Sequence, residues 1–284
     1  MLLIEPAAGS APIAAFIRTA RRRLDINAYM VTDRKILTAL AADARHGVDI
    51  RVLLDRHPYG GRPSGEKRAI QATGAHVRFA PTRFRFDHAK YLIADGRKIA
   101  IGSANLTYAA FHKNREYIWV SRQPQAVRAL RAVFAADWAG RPAGAAPRAS
   151  LILSPGSTAA LVRLIGQPGP VCVETEELGR DRPILAALRR KGPDAAVVLP
   201  ASSRTDRKEA RALAHSGVRV RFLRHPYLHA KLIVGPEAAF IGSENFSWTS
   251  LNANREVGVA LGNPDRRLLF QQCARDWQRG AAHG

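Results

Sequence analysis

The residues of this chain best suited to chemistry form one polar series that is written twice. The first copy reads His88-Ala-Lys90, then Gly102-Ser103-Ala-Asn105, then Asn114-Arg-Glu116. The second reads His229-Ala-Lys231, Gly242-Ser243-Glu-Asn245 and Asn254-Arg-Glu256, in the same order. Histidine and lysine two apart on a strand project from one face, so each pair presents an imidazole and an ammonium together. Each Gly-Ser-x-Asn ends a short apolar strand, where a loop can offer hydroxyl and amide donors to an anion. The set suits cleavage of a phosphodiester. That reaction needs a nucleophile, an acid for the leaving alkoxide, and cations or donors around the phosphoryl oxygens. One histidine can attack while the other protonates, and Lys90, Lys231, Asn105 and Asn245 can stabilise the charge on phosphorus. Neither copy is sufficient alone, so the fold must bring them face to face.

The elements that position them repeat as well. TDRKILTAL (32–40) resembles RDRPILAAL (180–188), and FAADW (134–138) resembles CARDW (273–277). The Gly/Pro/Ala stretch 139–150 lacks apolar periodicity and reads as a linker, which predicts an N-terminal domain over 1–138 and a C-terminal one over 151–284. In the first, the apolar spacing of Ile13, Phe16, Ile17 and Leu24 predicts a helix over 12–24, and Asp33 caps a second helix. Strands are expected at 50–54, 76–79, 91–94, 99–102 and 117–120. In the second, strands are expected at 171–174, 195–199, 219–223, 232–235, 239–241 and 257–261. Its helices are expected near 158–165, 182–190, 206–216 and 265–279. Alternating strands and helices imply an α/β sheet covered by helices in each domain, two such domains being related by a pseudo-two-fold. The repeated Asp137-Trp138 and Asp276-Trp277 read as core packing at helix ends. Glu174 reads either as a cleft residue or as a surface one. Of the remaining histidines, only His225 is given a part, at the edge of a pocket; the others, His283 among them, share no repeated spacing.

His-x-Lys followed by Gly-Ser-x-Asn, twice in one chain, resembles the phospholipase D superfamily over nearly the whole length. The resemblance implies two similar α/β domains, each a mixed sheet flanked by helices, with the active site at their interface. It implies a covalent phosphohistidine intermediate with no metal and no cofactor. By analogy His88 is the nucleophile and His229 the general acid that later activates water or an alcohol. Lys90, Lys231, Asn105 and Asn245 would hold the phosphate, with Ser103 and Ser243 supporting it, and Glu116 and Glu256 match the position of a carboxylate that orients each histidine. The family motif continues His-x-Lys-x4-Asp. Asp95 completes it in the first copy, whereas Pro236 stands there in the second, followed by Glu237. Because Asp95-Gly96 is a strong hairpin signal, Asp95 is expected to serve the turn rather than the chemistry.

The chain of 284 residues carries 44 Lys+Arg against 23 Asp+Glu, a net charge of +21, and 36 of the 44 are arginine. Such a field captures anions, whether nucleic acid, anionic membrane or phosphorylated small molecules. Aromatic residues flank the motifs: Phe84, Phe86 and Tyr227 before the histidines, Tyr108, Phe111, Phe246 and Trp248 after the asparagines. Tyr108, Phe111 and Trp248 could line an acyl-chain entrance, which favours a phospholipid substrate, hydrolysed or transferred, and peripheral contact with an anionic membrane by a monomer. Nucleic acid remains the alternative substrate, since stacked bases would use the same aromatics. A non-enzymatic basic binding module is the third reading. No apolar run reaches the roughly 20 residues of a membrane span, and the N-terminus is a poor signal peptide. The sequence therefore reads as cytoplasmic or as a mature exported form. Cys172 and Cys273 are expected to be two buried thiols rather than a disulfide, the alternative, because a chain of this size needs no staple, and the compartment stays open.

Overall fold

The computed structural model describes residues 1–202 and 206–282; His283 lies outside them. The first half runs β1 (Leu2–Glu5), α1 (Ala11–Ile17), β2 (Arg23–Ala28), α2 (Arg34–Arg45), β3 (Asp49–Leu54), α3 (Pro63–Gln71) and β4 (His76–Phe79). It continues with β5 (Tyr91–Ala94), β6 (Lys98–Gly102), α4 (Tyr108–His112), β7 (Asn114–Ser121) and α5 (Pro124–Trp138). The second half runs β8 (Ile152–Ser154), α6 (Thr158–Ile165), β9 (Val171–Thr175), α7 (Arg182–Lys191), β10 (Ala195–Pro200), α8 (Arg207–His215) and β11 (Arg219–Leu223). After these come β12 (Tyr227–Leu228), β13 (Lys231–Val234), β14 (Ala239–Gly242), α9 (Trp248–Asn252), β15 (Glu256–Leu261) and α10 (Asp265–Arg279). Residues 139–150 hold one 3-10 turn, Ala146–Ala149.

Among the described residues the strands form two mixed sheets of matching order. One is β1-β7-β6-β5-β2-β3-β4 and the other, read in the same direction, is β8-β15-β14-β13-β9-β10-β11. In each, three strands are parallel and the rest antiparallel. The two sheets face one another across a shared core in which Tyr91, Tyr117 and Phe134 of one half meet Leu232, Val257 and Leu269 of the other. Each half is thus an α/β unit, a mixed sheet flanked by helices.

Three expectations are corrected here. The predicted helix over 12–24 ends at Ile17, and Leu24 belongs to β2, where it is buried against Ala94 of β5. Its spacing of seven from Ile17 imitates two helical turns, but both sheet faces at β2 are covered, so burial there says little about period. Phe111 is fully buried in the outer core of the first half rather than at an entrance. Cys172 and Cys273 form a disulfide, joining β9 to α10 within the second half. Nothing in a spacing of 101 residues announces a pair that only the sheet-and-helix packing brings together.

Candidate active site

Both His-x-Lys segments enter their sheets beside the strand of the opposite half. His88 N–H donates to the Arg255 carbonyl at 2.9 Å, and His229 N–H to the Arg115 carbonyl at 3.3 Å; β12 pairs in parallel with Asn114 and Arg115 of β7. The halves are therefore stitched together at the two histidines. Each Gly-Ser-x-Asn follows the next strand of its hairpin. A side chain at Gly102 would run into the Tyr117 carbonyl oxygen, and one at Gly242 into the Glu244 carboxylate, so the glycines permit the close strand approach that sets the loop.

Each Asn-Arg-Glu has three jobs, and two of them cross to the other half. Glu256 Oε2 lies 3.0 Å from Nδ1 of His88, and Glu116 Oε1 lies 2.8 Å from Nδ1 of His229, the latter off the line of a good hydrogen bond. Arg115 forks onto Asp276 at 2.6 and 3.1 Å, and Arg255 reaches Asp137 at 2.8 and 3.0 Å. The asparagine stays at home: Asn254 Nδ2 donates to Glu256 at 3.0 Å and Asn114 Nδ2 to Glu116 at 3.4 Å. The helix-end aspartates thus do more than accompany a packed tryptophan, although Trp138 does stack on Phe134 at 5.6 Å between centroids. Their repetition in FAADW and CARDW was the available signal.

The charge balance differs between the two histidines. Burial pushes the His88 imidazole below its ordinary value, and Lys90 and Lys231 add to the push while Glu256 opposes it. A neutral His88 gives its N–H to Glu256 and keeps a lone pair on Nε2. Against the penalty of burial, His88 and Lys90 hold the Glu256 carboxyl below the usual range. Burial, followed by the Lys231 charge, brings Lys90 down to about 7; it donates to the His88 carbonyl and lies over the Tyr29 ring. Lys231 is fully buried and donates to the His229 carbonyl at 2.6 Å and to Glu176 Oε2 at 2.9 Å. Glu176 also lies 3.3 Å from Nε2 of His229. Sequence reading missed Glu176 altogether.

The remaining expected residues fall as follows. Asn105 and Asn245 are half-buried beside the lysines' hairpins, each with its side-chain oxygen unpartnered among the described residues. Ser103 and Ser243 are fully buried. Ser103 donates to Glu116 at 2.6 Å and accepts from the Tyr117 N–H, while Ser243 accepts from the Val257 N–H at 3.0 Å. They brace the orienting strand from behind. Asp95 stands at the far end of β5 with φ +51°, and its carboxylate accepts from the N–H groups of Arg21, Arg22 and Arg23 at 2.8–3.0 Å. It serves the turn. Glu174 lines neither cleft nor surface: it is fully buried in β9, accepts from the Tyr117 hydroxyl at 2.8 Å, and is pushed up by burial to about 8. His225 lines a hollow of about 740 Å³ with Tyr227 and Lys113.

A family model described as cardiolipin synthase, PLD-like domain, matches residues 13–138 and 179–279, well over half the chain. The chain belongs to the phospholipase D superfamily. Among curated relatives, a mitochondrial cardiolipin hydrolase of Danio rerio is 29% identical over 120 residues, 42% of this chain and 52% of that one. A cardiolipin synthase of Geobacillus thermodenitrificans (strain NG80-2) is 32% identical over 105 residues, 36% of this chain and 21% of that one. The chain thus spans about half the length of the first relative and a fifth of the second. Phosphatidylserine synthase from Haemophilus influenzae Rd KW20 superposes with a TM-score of 0.72 over 99% of this chain and 88% of its own, at 12% identity. Polyphosphate kinase from Porphyromonas gingivalis reaches 0.75 over 96% of this chain and 46% of its own, at 16% identity. At such identities these two likenesses speak for the fold of the superfamily alone. Among the described residues no helix is long and apolar enough to cross a membrane.

Proposed function

We propose that this chain is a phospholipase D-type phosphodiesterase acting on phospholipids by hydrolysis, transfer or both. The observation that carries the reading is the crossed pair of histidines, each with its Nδ1 against a buried carboxylate of the other half and its own lysine beside it. In the proposed cycle His88 Nε2 attacks phosphorus, the bond from phosphorus to the headgroup oxygen breaks, and His229 gives its proton to the departing alkoxide. Water or an alcohol then attacks the phosphohistidine, returning a proton to His229. The phosphorus–nitrogen bond breaks with its electron pair going back to His88. Lys90, Lys231, Asn105 and Asn245 offset the charge on the phosphoryl oxygens. Glu116 and Glu256 hold the tautomers and stabilise imidazolium when it forms.

A lipid substrate is supported by the relatives named above and by the exposed aromatics around the site. Tyr108 and Trp248 open α4 and α9, three residues beyond Asn105 and Asn245, and are 60% and 59% exposed. Amphipathic rings of this kind settle at the headgroup level of a bilayer. The disulfide supports an oxidising compartment, and with it the exported form. The test is headgroup release from phosphatidylglycerol or phosphatidylethanolamine in EDTA, with and without ethanol as acceptor. Release that survives EDTA, with phosphatidylethanol formed when ethanol is present, is the expected result. Activity lost in EDTA and restored by zinc or magnesium, or turnover of single-stranded DNA with none of lipid, would overturn the reading.

A further inference from the structure

Glu176 and Tyr29 occupy the same place in the two halves and could hardly differ more in chemistry. In the sheets, Asn27 of β2 faces Tyr91 and Glu174 of β9 faces Leu232, and both facing residues follow their histidine by three. Two residues further on, just past the end of each strand, stand Tyr29 and Glu176. The Tyr29 ring meets His88 edge-on at 4.7 Å and lies 5.1 Å from the Lys90 ammonium. Glu176 meets His229 at 3.3 Å and the Lys231 ammonium at 2.9 Å. One half supports its histidine and lysine with a neutral ring and the other with a carboxylate.

A carboxylate at this point opposes the capture of a phosphodiester, because like charges repel most strongly where water is excluded. Supporting Lys231 does not require it, since a tyrosine suffices in the first half. Nor is Glu176 walled off. Its side chain is 23% exposed, whereas those of Glu116 and Glu256 are at 0%. Oε2 accepts from Lys231 at 2.9 Å and lies 3.3 Å from Nε2 of His229, and Oε1 accepts from the Tyr227 hydroxyl at 3.1 Å. A carboxylate can accept about four hydrogen bonds, so a position is left for a donor arriving from the open side. Against the penalty of burial, its position beside His229 and Lys231 holds the carboxyl well below its usual range. The group that passes Nε2 of His229 in the proposed cycle is the departing headgroup.

We infer that Glu176 reads the headgroup: the site selects phospholipids whose headgroup carries a hydroxyl or ammonium donor close to the scissile ester. This rests on the phospholipid reading above and adds to it the class of headgroup. Glycerol and ethanolamine headgroups satisfy the rule. A methyl headgroup offers no donor, and choline offers a cation without an N–H.

The test uses the full chain on mixed micelles of phosphatidylglycerol, phosphatidylethanolamine, phosphatidylcholine and phosphatidylmethanol with identical acyl chains, and compares kcat/KM with that of Glu176→Gln and Glu176→Tyr. The wild type should prefer a donor-bearing lipid over phosphatidylmethanol by about tenfold or more, the scale of one hydrogen bond to a charged group. Both variants should lose at least most of that ratio, and the glycerol and ethanolamine arms tell which donor is read. A phosphatidylcholine rate like that of phosphatidylethanolamine would mean that charge alone is sensed, and would overturn the donor rule. So would a wild type without preference, or variants that slow all four lipids by one factor. Failure of the lipid reading has a different signature: no lipid is turned over whatever residue stands at 176, and the inference falls with it.

Discussion

The two halves build the same hairpin and fasten it from opposite ends. In the first, the turn itself supplies the acceptor: Asp95 reaches from the β5–β6 hairpin to the N–H groups of Arg21, Arg22 and Arg23, where the chain enters β2. In the second, the segment before β9 supplies it: Gln167 reaches up to the N–H groups of Glu237 and Ala238 at 2.9 and 3.0 Å. The same two loops are joined, with donor and acceptor exchanged. The turn at Pro236, where the family aspartate would stand, is therefore rebuilt at the end of the strand away from His229. Close to the histidines the contrast runs the other way. There the scaffold matches, while Glu5 faces Glu116 where Ser154 faces Glu256, and Glu176 stands where Tyr29 does. Differences far from the site are mechanical substitutes. Differences beside it give the two histidines unlike surroundings.

The largest effect should come from the histidines themselves. His88→Ala is expected to lower turnover by about 10⁴-fold or more, as when one member of a catalytic unit is removed, and to abolish covalent labelling by a radiolabelled phosphodiester. His229→Ala should also stall turnover but leave the labelled intermediate to accumulate. Labelling that survives the first substitution and disappears in the second would reverse the division of labour between the halves. Next come the crossed clamps. Asp137→Ala strands Arg255 in a buried site and Asp276→Ala strands Arg115, so each should cost about 3–5 kcal/mol in urea denaturation. A loss confined to one of them would break the symmetry of the scaffold.

Smaller effects sharpen the comparison further. Lys90, brought down to about 7, is charged below that pH and neutral above it, so its share of phosphate binding is present in acid and fades as pH rises through about 7. The alkaline side of the kcat/KM profile, which reports the free enzyme, should accordingly begin to fall near 7. Lys90→Arg, which does not lose its proton, should shift that fall upward; an identical profile would exonerate Lys90. Smallest is Asp95→Asn, which weakens three charge-assisted hydrogen bonds and should lower stability by about 1–2 kcal/mol with turnover retained. A collapse of turnover in the folded variant would show that the turn reaches the site after all.

The repeat made most of the site legible. His88, Lys90, Asn105, Glu116 and their counterparts stand out because types and spacing recur together, and strands after the first hairpin motif follow from alternation and turns. What the repeat could not convey was which half each side chain would serve. The spacing implies that the two copies meet but not how their carboxylates are shared: Glu116 stands against His229 and Glu256 against His88. Glu176 was hidden by register. The match of TDRK with RDRP, carried back without a gap, sets Tyr29 against Glu177, because the second half has one extra residue between its strand and the helix cap Asp181. Phe111, a loop aromatic by sequence, turned inward because α4 is a short helix with one face on the core.

The crossed fastening has a consequence for the chain as a polymer. The connection between the halves runs through Gly140 and Gly144, both at positive φ with open space around them, and none of the four crossing carboxylates lies on it. A protease cut there would sever the covalent thread but not the ownership of parts: each fragment would still hold a histidine that only the other can orient. The two pieces would behave as obligate partners, inert apart and competent together, and the peptide bond between them would serve mainly to raise their concentration in each other's presence.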